Sequence, residues 1–444
     1  MDASKRRFLR NSLYGAGLLG LRALASGIPI SILANPRKAA AETPVCKTGS
    51  LPKAQYLILA TSGGGDPLNA NVPGCYSDPG IYHPGDATMA PTDMTFGGAT
   101  VKAAAPWAKL DPTTILSRTC FFHHATYTNA HGDAPKVNRL MGAIQRQEML
   151  VSLIAKNTAP SLCTVQTQPA VVSNNLITYS GSVLPVLSPP NLQAVLTSPA
   201  GALTNLQAMR DADVNALNDL FKSTGNTAQR ALLDQYASSQ TQARNLSQTL
   251  LNDLSMIGKA GSTSRTDQNI AAAVLIKMNV TPVVVMNYSF GGDNHGDTGL
   301  AGEAAQTVAS AAAIGDLMTR LASYGLQDSV TIAFQNVFGR TLSVKSHSNN
   351  ADGRNHNASH HCTVMIGKGF KGSLIGGVQL NKGGNDYQAT GIDSATGASS
   401  TSGDIAYEQT LGSVGKTLGL ACGVPQAVLD DQITVGKPVQ AALA

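Results

Sequence analysis

Four short apolar runs, each followed at once by a glycine-rich or polar segment, constrain the fold of this chain more than any other feature. They cover residues 55–60, 283–288, 330–334 and 362–366. Runs of this length that end at turn-forming residues are typical of buried strands. Helical spacing of apolar residues over 301–323 and 405–418 alternates with them. This order predicts an α/β fold, with a mostly parallel central sheet and helices on both faces.

Two segments depart from this alternation. Residues 198–257 repeat Leu and Ala at helical spacing with few glycines, which predicts a helical insertion or cap. Residues 383–403 are rich in Gly, Ser, Thr and Asp without either periodicity, which indicates a surface loop. The chain after its first 41 residues is long enough for one large α/β domain or for two. We predict one domain over 42–444 that contains the insertion.

The N-terminal segment has the features of an export signal. Residues 4–10, SKRRFLR, precede a weakly apolar run over 13–34, and the small residues at 39–41 suit a signal-peptidase site. The apolar run contains Arg22 and several glycines, so it is a poor membrane-spanning helix. The segment resembles twin-arginine leaders, which implies export of the folded chain by the twin-arginine export machinery. We predict a signal peptide over 1–41, a periplasmic or extracellular protein, and no stable membrane span after cleavage; an uncleaved anchor is the alternative.

The charge balance argues against a nucleic-acid partner. The whole chain has 32 Lys and Arg residues against 27 Asp and Glu residues. Seven of the basic residues and one acidic residue lie within 1–41, so the rest has 25 basic and 26 acidic residues. A net charge of −1 without a basic cluster lacks the attraction that nucleic acid requires.

The six cysteines all follow residue 41, and none lies in a CxxC pair or at zinc-ribbon spacing. Disulfides are compatible with an oxidising compartment, but the spacing does not define their connectivity. We therefore expect the cysteines to have a structural role.

Polar side chains follow three of the apolar runs at the point where each run ends. Asp66 closes the glycine turn after the first run, and Asp293 and His295 follow the second. A loop with four of the nine histidines, residues 338–361, follows the third. In open α/β sheets, ligands bind beyond the carboxyl ends of the strands, because loops from different strands meet there. Carboxylates and imidazoles are ligands for Zn²⁺, Mn²⁺ or Mg²⁺, so we predict a divalent-metal site.

Two arginines of the same loop, Arg340 and Arg354, are candidates for binding an oxyanion. A guanidinium group makes bidentate hydrogen bonds to tetrahedral oxyanions such as phosphate and sulfate.

Five short groups of residues occur in an order that resembles a known family. They are Gly64-Gly65-Asp66 with Leu68-Asn69 and Val72-Pro73, Phe290-Gly291-Gly292-Asp293-Asn294-His295, Phe338-Gly339-Arg340-Thr341, Gly353-Arg354-Asn355-His356 and Gly367-Lys368-Gly369-Phe370-Lys371-Gly372. The family they resemble consists of twin-arginine-exported bacterial proteins of unknown function in the alkaline phosphatase and sulfatase superfamily. The resemblance implies an alkaline-phosphatase-like sandwich with Asp66, Asp293, His295 and His356 as metal ligands. It also implies a phosphate or sulfate ester, of a small molecule or a polymer, as substrate.

Three positions depart from the pattern of that family. Val337 stands where Glu is usual, Asn355 where Asp is usual, and Ala130 before His131 where Ser is usual. An acidic ligand and a hydroxyl nucleophile are thereby missing, and the catalytic residues stay unassigned. The sequence also lacks the Cys-x-Pro-x-Arg or Ser-x-Pro-x-Arg motif that sulfatases modify.

Two functions follow from these observations. The first is an exported, metal-dependent hydrolase of phosphate or sulfate esters, favoured by Asp293, His295 and His356. The second is a catalytically degenerate relative that serves as a binding or structural protein of the cell envelope, favoured by the missing Glu and Ser.

Individual residues have simpler interpretations as well. Asp66 is a possible N-cap of the helix that follows the glycine turn. Lone histidines more often form hydrogen bonds or lie at the surface than bind metal. This alternative applies to His123, His124 and His131, whereas for His347, His360 and His361 the alternative is that they are solvent-exposed loop residues.

Overall fold

The structure is a computed structural model that describes residues 53–96, 98–145, 148–197, 248–258, 264–343 and 353–444, with six isolated positions between 216 and 230. The predicted signal peptide, most of the predicted insertion over 198–257, and His347 lie outside the described residues. The signal peptide and the insertion stay predictions.

The described chain contains fifteen strands, ten α-helices and seven short 3₁₀ helices. The strands are β1 (Tyr56–Ser62), β2 (Pro91–Phe96), β3 (Ala99–Ala104), β4 (Thr119–His124), β5 (Ala170–Val171), β6 (Thr178–Tyr179), β7 (Ser182–Val183), β8 (Val283–Met286), β9 (Val330–Asn336), β10 (Gly339–Arg340), β11 (His356–Asn357), β12 (His361–Ile366), β13 (Ser373–Ile375), β14 (Val378–Leu380) and β15 (Tyr387–Ala389). The α-helices are α1 (Leu68–Asn71), α2 (Ala105–Ala108), α3 (Ala134–Val137), α4 (Leu150–Leu162), α5 (Pro189–Thr197), α6 (Gln248–Ser255), α7 (Arg265–Lys277), α8 (Ala301–Ser323), α9 (Thr410–Ala421) and α10 (Gln426–Gln432). The 3₁₀ helices cover Ala87–Met89, Leu116–Arg118, His131–Asp133, Leu140–Gly142, Thr298–Leu300, Tyr407–Gln409 and Gln440–Ala442.

A seven-stranded mixed sheet forms the centre of the fold, in the order β13-β4-β12-β9-β1-β8-β5. Strand β12 runs antiparallel to both neighbours, whereas the other paired strands are parallel. All four predicted apolar runs lie in this sheet, which confirms the prediction of an α/β fold.

Helices cover both faces of the sheet because neighbouring strand residues point to opposite sides. Ile58 and Ala60 of β1 pack in one apolar cluster with α7 and α8. Leu57 and Leu59 pack in a second cluster with α4, α9 and α10. The helical pattern over 301–323 is α8, and the pattern over 405–418 overlaps α9.

The segment 383–403 contains more structure than its composition predicts. Strand β15 lies within it and pairs antiparallel with β14. Tyr387 and Ala389 of β15 are buried. The strand was not predicted because three residues are too short to show an alternating pattern.

In the described part of 198–257, α6 is a helix whose residues Leu250 and Leu254 join the first apolar cluster. No helix among the described residues combines the length and apolar character needed to cross a membrane. Cys163 is disulfide-bonded. Cys75, Cys120, Cys362 and Cys422 are buried free thiols.

Candidate metal site

The site lies where the carboxyl ends of three adjacent parallel strands meet. Strand β1 lies between β8 and β9, so the segments that follow these strands are neighbours. After β9 the chain forms β10, which pairs antiparallel with β11 and places Arg340 opposite His356. This topology brings together residues that are far apart in the sequence, as the strand-end argument predicts.

Three imidazoles and one carboxylate converge on a single partly exposed position. The carboxylate of Asp293 lies 3.5 Å from His131 Nε2, 3.2 Å from His295 Nε2 and 3.9 Å from His356 Nε2. His295 Nε2 and His356 Nε2 are 2.9 Å apart. The donor atoms of His131, Asp293 and His356 all lie within 4.8 Å of one another. The side chains of His131, His295 and Asp293 are 42%, 45% and 48% exposed, so an ion from solvent can reach them.

Hydrogen bonds on the far side of two rings fix which nitrogen faces the cluster. His131 Nδ1 lies 2.8 Å from the carbonyl oxygen of Gly63, and His356 Nδ1 lies 2.7 Å from that of Asn129. A carbonyl oxygen only accepts, so each Nδ1 carries the proton in the neutral ring and donates it. Each Nε2 therefore presents a lone pair towards Asp293. This is the arrangement that orients metal-binding histidines in proteins.

The third ring, His295, completes the group. Its Nδ1 lies 3.3 Å from Asn355 Oδ1, and its Nε2 lies 3.3 Å from Arg340 Nη1. Arg340 Nη1 can only donate, so its contact gives His295 Nε2 a lone pair, and the two Nε2 atoms face each other as acceptors at 2.9 Å. A cation bound by both nitrogens would offset this repulsion. Burial, followed by the charges of Arg340 and the neighbouring histidines, lowers the pKa of His356, which favours its neutral, metal-binding form.

The carboxylate of Asp293 is held and kept ionised by Arg340. The guanidinium Nη2 of Arg340 donates to Asp293 Oδ1 at 2.6 Å and to the carbonyl oxygens of Gly64 and Gly65 at 2.7 and 3.2 Å. Partial burial alone would raise the pKa of Asp293, but the hydrogen bond and the charge of Arg340 outweigh it and hold that pKa below its usual value. The Arg340 side chain is fully buried, so an oxyanion would have to displace protein acceptors to reach it.

The glycine turn after β1 presents its carbonyl groups to this region. Gly63 accepts from His131, and Gly64 and Gly65 accept from Arg340. Gly65 has a φ of +61°, and a Cβ there would lie 1.9 Å from the Phe338 ring, so only glycine fits. Carbonyl oxygens carry partial negative charge, which suits a cation better than an anion.

Arg354 lies away from the open side of the cluster. Its guanidinium is fully buried and forms an ion pair with Glu303, with Nε 2.7 Å from Oε2. The remaining donors point to the carbonyl oxygens of Thr341 and Tyr82. The Arg354 guanidinium is thus bonded to Glu303, Thr341 and Tyr82 rather than to Asp293, His295 or His356.

Asp66 lies beside the cluster but not within it. Its side chain is fully buried, and both carboxylate oxygens accept the Phe290 N–H, at 2.8 and 2.9 Å. Burial raises the pKa of Asp66 to about 7, against the opposing effects of the Phe290 hydrogen bond and the charge of Arg340. The N-cap of α1 is Pro67, without a side-chain hydrogen bond, so Asp66 does not cap that helix. In this geometry Asp66 holds the segment that leads to Asp293.

His131 is a member of the cluster that was not predicted as a metal ligand from the sequence. The residue follows β4, which is separated from the other site strands by β12. The only signal was the likeness of Ala130-His131 to a Ser-His motif of the family that the sequence resembles, and Ala130 departs from that motif. The missing Glu of that family would stand at Val337, whose side chain is buried in the second apolar cluster.

A second group of possible ligands, Cys75, His123 and His360, is fully buried. The amide nitrogen of Asn69 lies 3.1 Å from His360 Nδ1 and can only donate, so His360 Nε2 carries the proton. That nitrogen lies 2.9 Å from His123 Nδ1, and His123 Nε2 lies 2.9 Å from the Pro73 carbonyl oxygen. Every ring nitrogen is thus paired without an ion. Burial also raises the pKa of the Cys75 thiol, which disfavours the thiolate that binds metal.

His360 and His361 of the histidine-rich loop are therefore core residues, both fully buried. The alternative that they are solvent-exposed loop residues is wrong. Their neighbours explain the burial, because His361 starts β12 and lies opposite His124 of β4 in the central sheet.

A family model described as "Protein of unknown function (DUF1501)" matches residues 181–391, so the chain contains a DUF1501 domain. That range includes Asp293, His295, Arg340 and His356. Asp66 and His131 precede it. A comparison with curated proteins gives no match.

Proposed function

We propose that this protein binds one divalent transition-metal ion through His131, Asp293, His295 and His356, and that it hydrolyses a phosphate or sulfate ester outside the cytoplasm. The observation that carries the proposal is the convergence of three imidazole nitrogens on one ionised carboxylate at a partly exposed position. The donor set fits a metal, because the outer nitrogens of His131 and His356 donate to carbonyl groups and leave their Nε2 lone pairs free.

The donor types favour some metals over others. Three imidazoles and one carboxylate suit Zn²⁺ and its transition-metal neighbours, whereas Mg²⁺ prefers oxygen ligands. A bound ion of this kind supplies Lewis-acid activation of water for ester hydrolysis. The chain supplies the rest: Arg340 keeps Asp293 ionised, and the carbonyl groups of Gly63 and Asn129 orient two of the rings.

The second candidate function is metal binding without turnover, as in a binding or structural protein of the cell envelope. Two observations favour it. The described contacts of the four ligands include no Ser, Thr or Cys side chain that could serve as a nucleophile. The terminal nitrogens of Arg340, and all three side-chain nitrogens of Arg354, donate to protein acceptors.

The envelope location and the fold family are parts of the same proposal. The twin-arginine-like leader supports export, and the disulfide at Cys163 is of the kind that persists in oxidising compartments. The mixed α/β sheet with helices on both faces is compatible with an alkaline-phosphatase-like sandwich, to which the ordered sequence motifs also point.

Metal analysis of the purified protein without its leader tests the binding part. We expect about one equivalent of zinc to bind tightly enough to survive gel filtration, and magnesium to be lost. A protein that retains no zinc after saturation would contradict the proposal. Assays of the zinc-loaded protein on phosphate and sulfate monoesters and diesters then separate the two functions. Turnover that is lost in Asp293→Asn supports hydrolysis, and no turnover on any ester supports metal binding alone.

A further inference from the structure

We propose that Glu303 and Arg354 are positioning residues that set the spacing between the two chain segments bearing Asp293, His295 and His356. The inference rests on the proposed metal site. It gives Arg354 a role different from the oxyanion binding predicted from the sequence, and it assigns Glu303, which the sequence patterns did not single out.

The two side chains form a bidentate ion pair inside the protein. Arg354 Nε lies 2.7 Å from Glu303 Oε2, and Arg354 Nη2 lies 3.0 Å from Glu303 Oε1. Both side chains are fully buried. A buried ion pair is stable only when its geometry is good and its other polar atoms are also bonded. Arg354 meets this requirement through the carbonyl oxygens of Thr341 and Tyr82.

The carboxylate of Glu303 also binds two asparagine amides. Asn294 Nδ2 donates to Oε2 at 3.0 Å, and Asn71 Nδ2 donates to Oε1 at 3.0 Å. Asn294 stands between Asp293 and His295 in the chain, and Arg354 stands two residues before His356. One carboxylate is therefore bonded to residues that lie within two positions of Asp293, His295 and His356 in the chain.

The backbones of the two segments are in direct contact at the same point. The Arg354 N–H donates to the carbonyl oxygen of Asn294 at 3.2 Å. A Cβ at Gly353 would lie only 1.7 Å from that oxygen, so no larger residue fits without separating the segments. The ion pair thus closes a tight contact between the segments.

A second carboxylate, that of Asp297, fixes the segment between Asp293 and Glu303 by hydrogen bonds to its C-terminal end. Asp297 Oδ1 accepts the Gly302 N–H and Oδ2 accepts the Glu303 N–H, both at 2.8 Å, at the start of α8. A shift of Glu303 therefore also moves Asp293 and His295, because a short, hydrogen-bonded segment of the chain joins them. A change at Glu303 that frees Arg354 and Asn294 should alter the distance between His295 and His356.

The test compares Glu303→Gln with a control that breaks another buried ion pair. Asp253 and Arg320 form such a pair between α6 and α8, with side chains 12% and 11% exposed, away from the ligands. Zinc affinity is measured by competition titration on the protein without its leader, Co²⁺ binding by its visible spectrum, and stability by urea unfolding of the metal-free protein.

We expect Glu303→Gln to weaken zinc binding about 10-fold to 100-fold, the range for residues that support metal ligands, and to change the Co²⁺ spectrum. Asp253→Asn should lower stability and leave both metal readouts unchanged. Wild-type affinity and spectrum in Glu303→Gln would overturn the inference while leaving the metal site standing. Absence of zinc binding by the wild-type protein would instead overturn the proposed function and the inference with it.

A second variant covers the case in which Glu303→Gln does not fold. Asn294→Ala removes one donor to Glu303 but keeps the ion pair with Arg354. We expect a smaller loss of zinc affinity in the same direction, with a changed Co²⁺ spectrum. Unchanged metal readouts in Asn294→Ala would overturn the inference.

Discussion

The partner of the outer ring nitrogen separates the histidines that can bind metal from those that cannot. His131 and His356 each have a carbonyl oxygen beyond the ring, so the inner nitrogen carries a lone pair. His360 has the Asn69 amide nitrogen there, so its inner nitrogen carries the proton. The sequence cannot show this difference, because it depends on backbone groups that reach the ring only in the folded chain. From the sequence alone, His131 and His360 are therefore equally good candidates for metal ligands.

The role of His131 is testable with a single substitution. We expect His131→Ala to reduce zinc affinity by about 100-fold or more, since loss of a ligand should exceed the loss caused by removing a supporting residue. His83→Gln is the matched control, because His83 also packs against an aromatic ring but lies outside the ligand group. Isothermal titration of both variants gives the measurement, and equal affinity in the two would remove His131 from the site.

Asp66 should make the stability of the protein fall as the pH rises. Its pKa is about 7 in the folded chain, mainly because of burial, and near the usual value of about 4 when unfolded. Because the folded state holds this proton more tightly, the native state loses stability between pH 4 and pH 7 and regains it on acidification. Asp66→Asn keeps an acceptor for the Phe290 N–H but does not titrate.

We therefore expect the free energy of unfolding of Asp66→Asn, relative to wild type, to rise by about 2 to 3 kcal/mol between pH 5 and pH 8. Urea unfolding at several pH values, with metal removed from both proteins, gives the curves. Parallel pH dependences for the two proteins would show that Asp66 does not titrate as its burial requires.

At the scale of elements, the sequence predicts those strands whose apolar runs are continuous. Strands β1, β8, β9 and β12 were all expected from such runs. Strand β4 was missed because its sequence, TCFFHH, carries two histidines that a hydropathy pattern counts as polar, although both are fully buried. The apolar pattern did not predict the direction of β12 either, since the same run of side chains suits a parallel or an antiparallel neighbour.

His131 was not predicted as a ligand because β4, the strand that precedes it, was not predicted. Without β4 in the sheet, nothing in the sequence places the segment after it beside the ends of β1 and β8. The convergence of Asp293, His295 and His356 follows from strands that the sequence does predict, whereas the approach of His131 depends on the strand that it hides. The sequence also hides the hydrogen-bond partners of His123 and His124, which make the burial of β4 possible.

The contact between the segments before His356 and after β8 is sensitive to added volume. A Cβ at Gly353 would lie 1.7 Å from the Asn294 carbonyl oxygen, a backbone atom that cannot move alone. We expect Gly353→Ala to lower the free energy of unfolding by about 2 kcal/mol or more, as overpacked positions do, and to weaken zinc binding. Gly296→Ala is the control, since its Cβ would meet nothing within 4 Å. Chemical unfolding and zinc titration should therefore show losses in Gly353→Ala and no change in Gly296→Ala, and similar behaviour of the two variants would contradict the tight contact.

For the whole molecule, the leader and the folded domain make separate predictions. The basic charge of the full chain belongs to residues 1–41, and the paired Arg6-Arg7 is the feature that resembles twin-arginine leaders. We expect replacement of both arginines by lysine to retain the precursor in the cytoplasm, as judged by fractionation and immunoblotting. A single conservative change elsewhere in the leader, Lys5→Arg, should not affect export. Normal export of the double-lysine variant would contradict twin-arginine transport.

Metal binding should also stabilise the molecule as a whole, because the ligands come from three segments that unfolding separates. His131 follows β4, Asp293 and His295 follow β8, and His356 lies in β11. An ion that binds only the folded chain stabilises it by about 2.7 kcal/mol at 100 times its Kd. For a chain of this size we expect an increase in Tm of roughly 3 to 5 °C. Differential scanning calorimetry with zinc added after chelation measures the increase, and Asp293→Asn should abolish most of it.

Magnesium at the same concentration should raise Tm far less, because the site offers three nitrogen donors and a single carboxylate. An equal increase with both metals, or one that survives in Asp293→Asn, would indicate an ion bound elsewhere on the protein.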